Sequence, residues 1–159
     1  MKNKIISIFI IGLLFSACTP TPPKQESAFI VIKTPTMKYA DMGFISTSDT
    51  KVKVEIYAAG QPLMDFEINA LNICMSAFEC MDKETFNEKV LSSSYSSNLL
   101  ENIFRAKPIF EKEGLEKTEE GFVQKITKEG AYDISYVVKG TTRTFRDTIN
   151  KILIKVREQ

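Results

Sequence analysis

Three cysteines carry most of the reactive chemistry open to this chain, and the setting of each decides what its sulfur can do. Cys18 closes an apolar run from Ile5 to Phe15, with Lys2 and Lys4 ahead of the run and Ser16-Ala17 behind it. A positive start, a short apolar stretch and small residues make the layout of a secretory signal. The run is shorter than the roughly 20 residues a helix needs to cross a hydrocarbon core of about 30 Å. With Cys18 set aside, Cys74 and Cys80 are an even pair in a compartment where disulfides persist. Leu71 to Met75 and Phe78 to Met81 read as two short strands over Ser76-Ala77, and such a hairpin places the two sulfurs opposite one another. Closing so short a loop stabilises by about 2 to 3 kcal/mol in the chain-entropy account. A redox-active pair would need the thiol-activating helix N-terminus of a Cys-x-x-Cys site, which this spacing lacks.

Other chemistry is thinly supplied. The chain of 159 residues holds no histidine, so Ser-His-Asp and Cys-His catalysis and most zinc sites are excluded. Acidic residues are scattered, with no calcium loop; the densest group, Glu111, Glu113, Glu116, Glu119 and Glu120, is interleaved with Lys112 and Lys117 and reads as a solvated loop or sheet edge. Gly60 and Gly140 are isolated turn glycines, not a phosphate cradle. The run Ser92 to Ser97 has no base to activate a hydroxyl, and Arg143 with Arg146 reads as an outward strand pair. The reading is a protein that is not an enzyme, with no catalytic residue, no metal ligand and no cofactor. With 21 basic against 20 acidic residues it is also no general nucleic-acid binder.

The elements that must position these residues follow from periodicity. Residues 19–27 hold three prolines, which fix φ and remove donors, so residues 18–27 read as an extended tether between a signal peptide (1–17) and a single domain (28–159). Within the domain the dominant period is two. Val52, Val54 and Ile56 alternate with Lys51, Lys53 and Glu55; beyond the turn at Gly60, Met64, Phe66 and Ile68 alternate with Asp65 and Glu67. Further strands are expected at Phe29–Lys33, Met42–Ser46, Phe122–Ile126, Tyr132–Val138, Thr142–Phe145 and Ile152–Val156, about ten in all with the cysteine hairpin. Between the hairpin and the later strands the period lengthens. Asp82 is a good N-cap for a helix carrying Phe86 and Val90, and a second helix from Ser96 or Ser97 groups Leu99, Leu100, Ile103 and Phe104 before Pro108 stops it. The fold class is α+β, mainly β: a strongly curved antiparallel sheet or unclosed barrel with short helices over its concave face.

That interior admits two readings, a solid core or a greasy cavity. Its expected lining is Val54, Ile56, Met64, Phe66, Ile68, Leu99, Ile103, Phe104, Ile134 and Tyr136. Methionine adapts to variable apolar partners, which favours the cavity slightly.

Two resemblances add to this. Phe15-Ser16-Ala17-Cys18 resembles the bacterial lipobox, with Phe15 where leucine is preferred; that implies thioether lipidation of Cys18 and cleavage before it. By resemblance to enterobacterial sorting, Thr19 implies an outer-membrane protein, lipid-anchored on the periplasmic face. The order of elements resembles the LolA/LolB family of lipoprotein carriers and receptors, carried by the strands Lys51–Tyr57 and Leu63–Ile68 around Gly60, the short hairpin, the helical segment ending Phe104-Arg105-Ala106-Lys107-Pro108, and the strands after Gly121. Carrying its own anchor points to the LolB-like receptor. The resemblance implies an apolar cavity for acyl chains of lipoproteins, insertion of that cargo in the outer membrane, and lipidated proteins and a soluble periplasmic carrier as partners, with the domain a monomer. The family's membrane-inserting leucine precedes the matching glycine, where this chain has Ala59; Leu63 is the nearby apolar candidate for a membrane-facing turn. The competing expectation is a non-catalytic structural or interaction lipoprotein of the envelope.

Overall fold

The computed structural model describes residues 22–76 and 79–159. The expected signal peptide, Cys18 and the first part of the tether lie outside the described residues, as does the 77–78 tip of the cysteine hairpin.

Alternation produces eleven strands: β1 (Lys24–Lys33), β2 (Lys38–Thr47), β3 (Val52–Ala58), β4 (Gln61–Ile68), β5 (Asn72–Met75), β6 (Glu79–Asp82), β7 (Leu115–Thr118), β8 (Gly121–Lys128), β9 (Tyr132–Lys139), β10 (Thr142–Asp147) and β11 (Ile152–Glu158). They form one sheet in the order β6-β5-β4-β3-β2-β1-β11-β10-β9-β8-β7, every neighbouring pair antiparallel. The sheet is not closed, because β6 and β7 are its two edges. Two helices, α1 (Lys83–Val90) and α2 (Leu99–Phe104), lie between them in sequence.

Several limits differ from the sequence reading: β2 starts at Lys38 rather than Met42 and α2 at Leu99 rather than Ser96 or Ser97, and two further differences bear on the edges of the sheet and the tether. The strand β1 begins at Lys24, within the stretch read as tether, since residues Lys24 to Ser27 pair with Thr47 to Phe44 of β2; the prolines stop at Pro23, after which nothing prevents ladder bonding. The strand β7 was not expected. It is only four residues long, and Glu116 and Lys117 hide its alternation, as suits a short charged strand guarding an edge.

Curvature follows from burial. Eleven strands spaced about 4.8 Å apart make a ribbon near 50 Å wide, whereas helices of eight and six residues are roughly 12 and 9 Å long. Yet Ile30, Val54, Phe66, Ile126, Tyr136 and Ile154, from strands across the whole sheet, are each at most 2% exposed and belong to one cluster. The sheet therefore curls around its cover. At Gly43 an added Cβ would lie 2.0 Å from the Glu55 carbonyl oxygen, so only glycine permits the close approach of β2 to β3 there.

Candidate functional site: the covered concave face

The connection from β6 to β7, residues 83–114, joins opposite edges of the sheet and so has to cross its concave side. Its apolar residues fall inward: Phe86, Leu91, Tyr95, Leu99, Leu100, Ile103, Phe104 and Ile109 are all buried. α1 is started by Asp82, whose carboxylate accepts from the Thr85 backbone amide at 2.8 Å and the Thr85 hydroxyl at 2.7 Å; those bonds hold its pKa below the usual range.

All ten residues expected to line the interior converge there. Val54, Ile56, Phe66, Ile68, Leu99, Ile103, Phe104, Ile134 and Tyr136 are buried, and Met64 packs half-buried at the margin. Side chains fill the space between sheet and cover: the Phe66 and Phe86 rings meet edge-on at 6.0 Å, and Tyr136 contacts Phe122 at 5.4 Å and Phe145 at 6.3 Å.

Two polar contacts fasten the cover to the sheet. The Tyr95 hydroxyl, on the link between the helices, donates to Asp147 Oδ2 at 2.5 Å. Asp147 ends β10 and also accepts from the backbone amides of Asp133, Ile149 and Asn150 and from the Asn150 side chain at 2.7 Å. Burial alone would raise the Asp147 pKa, but the bonds from Tyr95, Asn150 and the backbone outweigh it and hold the carboxyl below its ordinary range. Burial, and then the Asp147 acceptor, push Tyr95 upward, so it remains a donor. The second contact is Gln124 on β8, fully buried, whose Oε1 accepts from the Ile109 amide at 2.8 Å while its Nε2 donates to the carbonyls of Ile109 at 3.0 Å and Glu113 at 2.8 Å.

Other bonds hold the cover to itself. Lys83, 3% exposed, donates to Glu101 at 2.9 Å and Asn98 at 3.2 Å; Arg105 donates to Glu101 at 2.9 Å; Asn87 donates to the Ser96 carbonyl at 3.0 Å. Glu101 is pushed up by burial and pulled down further by Lys83 and Arg105, so it stays ionised.

Four buried side-chain polar atoms among the described residues have no partner: Asn87 Oδ1 and Arg105 Nη2 on the cover, and the Tyr136 hydroxyl and Arg143 Nε on the sheet. The latter two are neighbours, on adjacent strands with Tyr136 opposite Phe145 and Val138 opposite Arg143. Arg143 also corrects the sequence reading of an outward arginine pair: residues 143, 145 and 147 of β10 are buried, and Arg143 pairs with Glu158, while Arg146 alone faces out. A residue two or four positions from Arg143 shares its face, whereas Arg146 is three away.

The disulfide Cys74–Cys80 joins directly opposed residues of β5 and β6, with Cα atoms 3.9 Å apart, as expected for that hairpin. The β3–β4 turn is the two residues Ala59-Gly60, with φ of 50° and 78°; Leu63 stands beyond it in β4, 49% exposed. Among the described residues no group of His, Cys, Asp or Glu could hold a metal, and no helix is long and apolar enough to cross a membrane.

Sequence reasoning missed Tyr95, Gln124 and Asp147. Gln124 was visible in principle as a polar residue in phase with the inward Ile126, and Asp147-Thr148-Ile149-Asn150 as a side-chain-capped turn between strands. No protein-family model matches the chain, and a search of curated proteins found no match.

Proposed function

We propose that this protein is a LolB-like receptor: an outer-membrane lipoprotein, anchored through Cys18 on the periplasmic face, that takes acyl chains of other lipoproteins against its concave face and passes them to the membrane. The observation that carries the reading is the single connection, residues 83–114, that covers the apolar face of an unclosed sheet and is fastened to it by Tyr95–Asp147 and Gln124. Acyl chains would replace the cover's apolar side chains along Val54, Ile56, Phe66, Ile68, Ile134 and Tyr136. Ester or amide carbonyls at the head of those chains would accept from the unpartnered Tyr136 hydroxyl and Arg143 Nε. No covalent step is involved; transfer follows from comparable affinities in carrier, receptor and bilayer.

The test is titration of the Cys18→Ala protein with a fluorescent fatty acid, followed by competition with a triacylated peptide. Saturable, competed binding supports the receptor. The competing reading is a structural lipoprotein of the envelope with a solid core, favoured by the filled interior and the near-zero exposure of its lining. Absence of binding by folded protein would establish that alternative.

A further inference from the structure

The outer face of the sheet carries a segregation of charge that the interior does not explain. On β2, β1, β11 and β10, which are consecutive in the sheet, the residues alternating with the buried ones point outward. On β2 these include Lys38, Ala40, Met42 and Phe44; on β1, Phe29, Val31 and Lys33; on β11, Leu153, Lys155 and Arg157; on β10, Thr142, Thr144 and Arg146. Register makes them continuous: Lys38 is opposite Lys33, Lys33 opposite Leu153, Leu153 opposite Arg146, while Val31 faces Lys155 and Phe29 faces Arg157. The patch holds five cations and no carboxylate, in a chain whose charges over its whole length are nearly balanced at 21 to 20. Among the described residues none of Lys33, Lys38, Arg146, Lys155 and Arg157 forms an ion pair.

We propose that this convex face is a docking surface for an anionic phospholipid bilayer. A lipid surface, rather than a nucleic acid or an acidic protein, is selected by what lies between the cations. Met42 and Phe44 are 42% and 40% exposed, and Phe29, Val31 and Leu153 share the face. Arg157 lies over the Phe29 ring, its guanidinium carbon 5.9 Å from the centroid, which keeps both groups at the surface. Aromatic and aliphatic side chains standing among lysines suit an interface where apolar groups enter the headgroup region and ammonium groups reach phosphates. At its Lys33–Lys38 end the patch opens into a cleft of about 510 Å³ that adds Lys151, Thr34 and Thr148 to Lys33, Lys38 and Arg146; Asp147 also lines it, one carboxylate against four cations, and the volume has room for a phosphate-bearing headgroup. The inference does not rest on acyl-chain binding, since a protein with a solid core presents the same face.

The experiment is co-sedimentation of the full chain carrying Cys18→Ala with vesicles of pure phosphatidylcholine, or with about a third phosphatidylglycerol, at low and high salt. The apolar N-terminal run is common to all arms and is measured by the neutral vesicles. Binding is expected to be tighter to the anionic vesicles and to weaken with salt. A basic side chain near such a surface contributes about a fivefold gain, so Lys33→Gln, Lys38→Gln and Lys155→Gln together should weaken binding about a hundredfold. Phe44→Ser should weaken it at high salt as well. A matched control, Lys89→Gln, Lys107→Gln and Lys117→Gln, removes exposed cations elsewhere and should change little. Equal binding to both vesicle types, or equal losses in the two triple variants, overturns the proposal. So does a soluble polyanion such as heparin binding the face more tightly than vesicles with Phe44→Ser without effect.

Discussion

Replacing Tyr95 by phenylalanine removes one oxygen and tests the fastening of cover to sheet. The ring's neighbours, Phe110, Tyr132 and Phe145 at 5.9 to 6.4 Å between centroids, are retained, so the perturbation is confined to the bond from the hydroxyl to Asp147. A hydrogen bond to a charged group contributes about 1.5 to 3 kcal/mol. Asp147 keeps its backbone donors and Asn150, so no charge is left unpaired, and the loss should fall near the lower end, about 1.5 to 2 kcal/mol. In a chain this size that corresponds to a fall in Tm of about 5 °C. Urea unfolding of parent and Tyr95→Phe proteins should show a lower midpoint with unchanged slope at pH 7. Because the folded-state pKa of Asp147 is depressed, its contribution is fully present above the unfolded carboxylate value and is lost as pH falls through the folded one. The gap between the two proteins should therefore shrink below about pH 4. A gap under about 0.5 kcal/mol, or one of the same size when Asp147 is already Asn, would refute the fastening.

Tyr136→Phe removes a buried hydroxyl that has no partner, so the free protein should be unchanged or more stable by up to about 1 kcal/mol in urea, while affinity for a fatty acid falls. Cys74→Ala opens the β5–β6 bridge and should cost about 2 to 3 kcal/mol in thermal or urea unfolding under oxidising conditions, with acyl binding retained. Gly43→Ala forces β2 away from the Glu55 carbonyl and should destabilise by about 2 kcal/mol or more in the same assay. Cys18→Ala should release the protein from cell membranes once they are washed at high salt, which weakens docking through the basic convex face, and retention through that wash would count against lipidation.

Strand positions were legible because the sheet buries one face: wherever a strand is long and half-buried, as at Val52–Ala58 or Tyr132–Lys139, its hydrophobic alternation marks it in the sequence. The cysteine hairpin and the Asp82 cap were legible for the same local reason. Residues whose role depends on distant partners were not. Tyr95 meets Asp147 across 52 positions, and Gln124 satisfies the backbone of a segment whose path is fixed only when β6 and β7 become opposite edges. The outer face was illegible in the same way: Lys33, Arg146, Lys155 and Arg157 look like ordinary exposed alternates until strand order places β1, β11 and β10 side by side.

The energetics of the proposed exchange show why small polar contacts would govern it. A sixteen-carbon chain gains about 12 kcal/mol on leaving water, at about 0.8 kcal/mol per methylene, but it gains much the same in a bilayer or inside a carrier. That large term cancels from any transfer between them. Against the sheet, an acyl chain also exchanges with the apolar side chains of residues 83–114, so burial of the interior changes little. What remains is the bond of Tyr95 to Asp147, the bonds of Gln124, and the two unpartnered donors that a carbonyl would satisfy. Loosening the cover by about 2 kcal/mol raises the uncovered fraction about thirtyfold, and the apparent affinity of an acyl ligand rises in proportion while the uncovered state is rare. Tyr95→Phe should therefore bind a fatty acid more tightly although it is less stable, and Tyr136→Phe more weakly although it is no less stable. A solid-core protein would show neither of these opposed pairs: with no acyl binding in the parent or in either variant, only the stability changes would remain.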